Sequence, residues 1–196
     1  KVFLTASGGP FYKKKIGSFK NITIKDAINH PNWKMGKKIS IDSATMINKV
    51  FEVIEAKNIF NIPYNKIDIL IHPKSYIHAI LKLNNGMTKI IAHDTTMKIP
   101  IFNSIYSYNK NIVSKNLDIN KLNNLDLKKV DQIKYPMLKI LKKLPRKNSL
   151  YETIIVSAND ELVSKFLNKK IRFTDISKIL LKILNNKKFI KYKSKS

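Results

Sequence analysis

The stretch Asp42-Ser43-Ala44-Thr45-Met46-Ile47-Asn48-Lys49-Val50-Phe51-Glu52-Val53-Ile54-Glu55 decides how the chain is read. Asp42-Ser43 is a helix-starting pair, because a short oxygen-bearing side chain accepts from the free N–H groups of a first turn. The apolar spacing that follows predicts one helix over 44–60. Asn48, Glu52 and Glu55 stand at i, i+4 and i+7 on one face, flanked by Lys49, while Met46, Ile47, Val50, Phe51, Val53 and Ile54 cover the others. A helix that is apolar around most of its circumference is mostly buried, so its narrow polar strip either pairs internally or faces a cavity holding something polar. A solvated face is the competing reading, and the strip alone does not choose between the two.

Around this helix the chain alternates strand and helix signals. Residues 1–5, Lys-Val-Phe-Leu-Thr, read as a strand running into Ala6-Ser7-Gly8-Gly9-Pro10, a turn whose glycines let backbone approach a ligand closely. A short helix is expected over 24–28, a short strand over 38–41 and a strand over 67–71. Two further runs, 79–83 and 87–92, flank Asn84-Asn85-Gly86, a hairpin signal. Residues 107–132 are rich in Asn, Lys and Leu with little period and read as a linker. Helical spacing returns over 136–144, 151–167 and 175–184, and the basic residues 187–196 read as a fraying tail. The expected organisation is an α/β (α+β) catalytic domain over 1–106, with a mixed sheet and flanking helices, the linker, and a small α-helical C-terminal domain over 133–196.

Composition removes several function classes. With no Cys among 196 residues, disulfides, thiolate-bound zinc, iron–sulfur clusters and thiol catalysis are excluded. Apolar runs such as 67–71 and 176–184 stop far short of the roughly 20 residues a bilayer span needs, so no membrane partner is expected. The net charge of +25 points first to polyanions, but only Arg146 and Arg172 of the 38 basic residues carry the bidentate guanidinium that base and phosphate readers favour. Lys, Asn and Ile supply 88 of the 196 residues, and all three have A/T-rich codons, so mutational drift accounts for the basicity. No specific nucleic-acid partner is expected, only weak, salt-sensitive adhesion.

Several residues have a chemical and a plain structural reading side by side. Ser43 at a helix N-terminus offers a hydroxyl beside free N–H groups, a place for phosphate, or is simply the cap. Lys49, one turn further in, is placed to neutralise that phosphate, and Ser7 adds a hydroxyl. Glu52 and Glu55 at i, i+3 can share a hard divalent cation, Mg2+ or Mn2+. Trp33 and Met35, with Gly36 as a hinge, read as a lid over substrate or as a core anchor. His30, His72, His78 and His93 lack zinc-type spacing.

Four blocks, Leu4-Thr5-Ala6-Ser7-Gly8-Gly9-Pro10-Phe11, residues 30–40 from His30-Pro31-Asn32-Trp33 to Ile39-Ser40, Asp42 to Lys49, and Ile71-His72-Pro73-Lys74-Ser75-Tyr76-Ile77-His78, closely resemble the 1-deoxy-D-xylulose 5-phosphate reductoisomerase family. A fainter match runs from Ala158-Asn159-Asp160-Glu161 to Asp175-Ile176. The resemblance implies NADPH-dependent rearrangement and reduction of 1-deoxy-D-xylulose 5-phosphate to 2-C-methyl-D-erythritol 4-phosphate, in non-mevalonate isoprenoid synthesis. It implies that Ser7, His30, Ser43, Asn48 and Lys49 hold the sugar phosphate, and that Lys49, His30 and Glu52 serve the chemistry. It also implies that Glu52 ligates the metal with Glu55 supporting it from behind, that Gly36 touches NADPH, that Trp33 and Met35 belong to the loop covering substrate, and that Met97 lies at the substrate's edge. A homodimer formed through the sheet and a bacterial cytoplasmic location, or else a plastid-type organelle, come with it.

By the same resemblance the NADPH-binding domain and an Asp-Ser-Glu segment with the remaining metal ligands are expected before Lys1, and this chain alone is expected to be inactive. The sequence departs from the family at Val50, where Gly is usual, which is expected to place a branched side chain near the site. Thr95-Thr96-Met97 replaces Pro-Asp-Met, and the C-terminal region is short. The alternatives are a degenerate relative that binds without catalysis and a basic nucleic-acid-binding protein.

Overall fold

The computed structural model describes residues 1–31, 35–106, 111–112 and 114–195. Five strands, β1 (Val2–Ala6), β2 (Ile67–Ile71), β3 (Ile77–Lys82), β4 (Thr88–Ala92) and β5 (Lys128–Lys129), form one mixed sheet in the order β4-β3-β1-β2-β5. β1 and β2 run parallel, with Leu4 opposite Ile69, and the other pairings are antiparallel. A parallel pair needs a crossover, and here it carries α1 (Ile24–Ile28), α2 (Lys37–Thr45) and α3 (Ile47–Phe60). The hairpin joining β3 and β4 closes at Asn84-Asn85-Gly86, where Gly86 takes φ +87°. Beyond it come α4 (Lys98–Ile105), α5 (Ile119–Asn123), a 3-10 segment Pro136–Lys143, α6 (Leu150–Leu167), α7 (Phe173–Leu184) and α8 (Lys187–Ile190). The mixed sheet with flanking helices and the helical C-terminal portion agree with the sequence reading.

Two local expectations fail together. Residues 38–41 are helical, and the single helix expected over 44–60 is two helices broken at Met46, which sits in the left-handed region at φ 65° and ψ 14°. The alternation Lys38-Ile39-Ser40-Ile41 imitates a strand. Contacts outside it decide for helix: Ile41 and Ala44 enter the core, and Asp42, one turn after Lys38, is fixed by its ammonium at 2.7 Å and by the Asn159 amide of α6 at 2.8 Å. Ser43 therefore does not cap a helix start. It lies in the last turn of α2, and its carbonyl accepts the Met46 N–H.

The stretch read as a linker contributes α5 and β5, the latter pairing Lys129 with Leu70. The tail does not fray over its described length. Asn186 caps α8 by accepting from Lys188 N–H, and the Lys195 carbonyl accepts the Leu150 N–H at 2.8 Å, tying the end to the start of α6. One apolar core spans both parts of the chain, joining Ala6, Phe11, Phe19, Ile47 and Val50 to Met137, Ile140, Tyr151, Phe166 and Phe173. The rings of Phe11 and Phe173 meet edge to face, with centroids 5.1 Å apart. Val50, next to Lys49 in sequence, is fully buried in this core.

Candidate functional site

β1 delivers its end to the first turns of α3, and the contact is made by charge. Lys49 is buried, and its ammonium donates to the Thr5 carbonyl at 2.7 Å and pairs with Glu52 Oε2 at 2.5 Å. A buried ammonium must be paired, and its one carboxylate partner among the described residues is 41% exposed, so the positive charge lies close to the surface rather than sealed away. Asn48 Nδ2 reaches Glu52 Oε1 at 3.5 Å, while Asn48 Oδ1 is buried with no partner among the described residues. An unsatisfied buried acceptor beside a paired cation is a place prepared for a ligand hydroxyl or water.

The Ser7-Gly8-Gly9 turn closes the other side. Ser7 Oγ accepts the Gly9 N–H at 3.1 Å and lies 3.2 Å from His30 Nε2, so the two residues predicted to act together do meet. The glycines are required by packing within the protein. A Cβ on Gly9, at φ +66°, would stand 2.8 Å from the Ser43 carbonyl oxygen, and one on Gly8 would strike the Tyr12 ring. Gly9 thereby seats the turn on the end of α2 and brings Ser43, buried, into the same neighbourhood as Ser7. Burial lowers the pKa of His30 below that of a free imidazole, leaving it neutral and able to donate or accept.

The remaining predicted residues are spread along the rim. Glu55 is exposed one turn beyond Glu52, with no hydrogen bond or ion pair among the described residues. Gly36 is the exposed residue preceding α2, Met35 beside it is half-buried, and Met97, 55% exposed, precedes α4. Trp33 lies outside the described residues. Among the described residues no group of three His, Asp or Glu side chains is placed to hold a metal ion.

Sequence reasoning missed two contributors. Thr5 connects three elements: its carbonyl takes Lys49, and its hydroxyl donates to the Ile77 carbonyl of β3. His78 follows Ile77, and its Nε2 is buried without a partner among the described residues. Its pKa is pushed down to about 4, first by burial and then by the neighbouring His93, with Lys49 and His72 adding to the effect. The ring is neutral at physiological pH and offers a lone pair beside the Lys49 strip.

Residues 94–196 of the chain match the family model described as the DXP reductoisomerase C-terminal domain, and residues 1–60 match that of the 1-deoxy-D-xylulose 5-phosphate reductoisomerase C-terminal domain. The chain belongs to the DXP reductoisomerase family. A reductoisomerase of Pelagibacter ubique is 62% identical over 195 residues, which is 99% of this chain and 50% of the relative. That of a Sulfurihydrogenibium species is 44% identical over 185 residues, 94% of this chain and 49% of the relative. Among solved structures, a reductoisomerase in complex with NADPH, fosmidomycin and magnesium is similar at TM-score 0.88 and 36% identity, covering all of this chain and 48% of that one. The Zymomonas mobilis reductoisomerase in complex with NADPH gives TM-score 0.83 and 35% identity, covering 94% of this chain and 48% of that one. The chain thus spans about half the length of the reductoisomerases it matches.

Proposed function

We infer that this chain is a portion of a protein that rearranges and reduces 1-deoxy-D-xylulose 5-phosphate to 2-C-methyl-D-erythritol 4-phosphate with NADPH, and that it supplies the substrate site and one metal ligand. The observation that carries this reading is the pairing of buried Lys49 with part-exposed Glu52, flanked by Asn48 Oδ1, which has no partner among the described residues, and closed by the Ser7–His30 contact. A sugar phosphate needs a fixed cation for its phosphate and a row of polar groups for its hydroxyls. Lys49 supports the first role; Ser7, His30 and Asn48 support the second, with the buried Ser43 behind them. Glu52 is a hard oxygen donor and fits Mg2+ or Mn2+, completed by ligands outside these residues. When bound, such an ion polarises the substrate's ketone and hydroxyl oxygens, and NADPH supplies hydride.

This chain's own part is positional. Anchoring the phosphate at Lys49 orients the reacting carbons toward Glu52, converting binding energy into alignment. Met35, Gly36 and Trp33 belong to the segment that would cover the substrate and keep water from the intermediate, with Gly36 towards NADPH and Met97 at the substrate's edge. Glu55 backs Glu52 from the solvent side. The intact protein pairs as a homodimer along the β4 edge of the sheet, a reading supported by the exposed Ile90 and Ile91 there. The non-catalytic alternative loses its motive at Val50, because that side chain packs in the core.

The test is NADPH oxidation by the intact protein supplied with 1-deoxy-D-xylulose 5-phosphate and Mg2+. Turnover is expected in the wild type and its loss in Glu52→Gln, which keeps the shape but removes the charge that captures the ion. Equal rates in both proteins would overturn the assignment of Glu52.

A further inference from the structure

β3 carries one residue too many at His78. Ile77 faces Ala92 across the ladder and Ala79 faces Ile91, so two steps along β3 match one along β4, and His78 is the extra residue. A bulge takes its residue out of the strand's alternation and re-aims the side chain. The re-aimed ring is then covered. His93, directly after β4, lies flat on it, with ring centroids 3.6 Å apart and planes 9° from parallel.

His93 is held on two sides. Its backbone N–H donates to the Tyr76 carbonyl at 3.2 Å, and its Nδ1 lies 2.7 Å from the Asp94 carbonyl. A carbonyl can only accept, so that contact makes Nδ1 the protonated nitrogen of His93 and fixes its ring. A fixed flat ring at van der Waals distance leaves His78 little freedom about its own terminal torsion, which is otherwise broad. The charged and titratable groups acting on His78 are His93, Lys49 and His72, with no carboxylate among them; a hydrogen bond to the His93 backbone favours a proton on the ring, and burial outweighs it. His78 is thus held as a buried, neutral ring whose Nε2 has no partner among the described residues.

We propose that His93 is a positioning residue: by stacking on the bulged His78 it holds that ring in one plane, with Nε2 kept as a hydrogen-bond acceptor for a hydroxyl of the ligand bound on the Asn48–Lys49–Glu52 strip. This role rests on the reading of that strip as the substrate site. Removing His93 would let the His78 ring turn, admit water and take up a proton, which converts the acceptor into a donor.

The experiment uses the intact protein with 13C-labelled histidine, following the His78 ring signal through a pH titration, together with steady-state kinetics. In His93→Ala the His78 midpoint is expected to rise from about 4 toward the free value of 6.5, with kcat reduced about tenfold. His93→Phe, which keeps a flat ring but loses the imidazole's own charge effect on His78, is expected to hold the midpoint well below that of His93→Ala and to retain most of the turnover. An unmoved His78 midpoint in His93→Ala overturns the proposal. His93→Phe behaving like His93→Ala overturns the stacking argument as well. Should the alanine variant fail to melt cooperatively, His93→Gln takes its place. A wild-type protein that titrates as expected but does not turn over the sugar phosphate refutes the functional reading while leaving the His93–His78 contact demonstrated.

Discussion

Gly9 ties two sequence motifs together because it lacks a side chain. At φ +66° with the Ser43 carbonyl 2.8 Å from where a Cβ would stand, Gly9→Ala brings backbone strain and a contact that only a main-chain shift can relieve. The expected cost is about 1–3 kcal/mol, read as a lowered melting temperature of the intact protein. Because the shift would move Ser7 away from Ser43, KM for the sugar phosphate should rise as well. Lys49→Ala separates phosphate anchoring from metal capture: KM is expected to rise by at least tenfold while Mg2+ dependence is kept, as measured by initial rates over a matrix of substrate and metal concentrations. The strip of Asn48, Lys49 and Glu52 was legible because helical periodicity fixes which residues share a face, whatever happens at the ends. His78 was not. Its role depends on a bulge, and a bulge is a mismatch between two strands that neither strand's own sequence records.

At the scale of elements, the junction of α2 and α3 shows where local signals lose to tertiary contacts. The alternation at 38–41 and the Asp42-Ser43 pair both point to a helix starting at 44, yet α2 begins at Lys37 because Asp42 is drawn into the core and met there by Asn159 and Lys38. Burial pushes the Asp42 carboxyl above its usual range, against the pull of Lys38 and Asn159. Asn159→Leu removes one of its two partners and should destabilise the protein by about 1–3 kcal/mol, again visible in the melting temperature. The pH dependence follows from the signs. A carboxyl with a raised folded-state pKa stabilises the fold below about 3.8 and loses that contribution as pH rises through its folded value. His30, His72 and His78 are all lowered by burial, so their contribution is present above 6.5 and is lost as pH falls, for His78 until about 4. Three imidazoles oppose one carboxyl in the shared window. Stability is expected to fall from pH 6.5 to 4, and His78→Asn should flatten that slope in melting curves taken across the range.

At the scale of the molecule, the five-stranded sheet has unequal edges. β5 is two residues long and flanked by charge, a blunted edge, whereas β4 presents Ile90 and Ile91, each 48% exposed, and the following α4 has no buried residue although Ile101 and Ile105 lie on it. β1, β2 and the β3–β4 hairpin were readable from alternation and the Asn-Asn-Gly turn, whereas β5 was not. Which of them would lie at the edge was not, since order in a sheet depends on the crossover through α1 to α3. An open edge with branched apolar side chains is a template for pairing unless something covers it. If a second copy covers it, as the proposed homodimer requires, placing charge there should separate the subunits with little effect on each fold, because both side chains are already half exposed in the single chain. The double variant Ile90→Lys, Ile91→Lys of the intact protein is expected to sediment at half the wild-type mass while melting within a few degrees of it, a shift that corresponds to roughly 1 kcal/mol. A variant that keeps the wild-type mass would mean that the β4 edge is not the contact, and the apolar face of α4 would then be the surface to alter next.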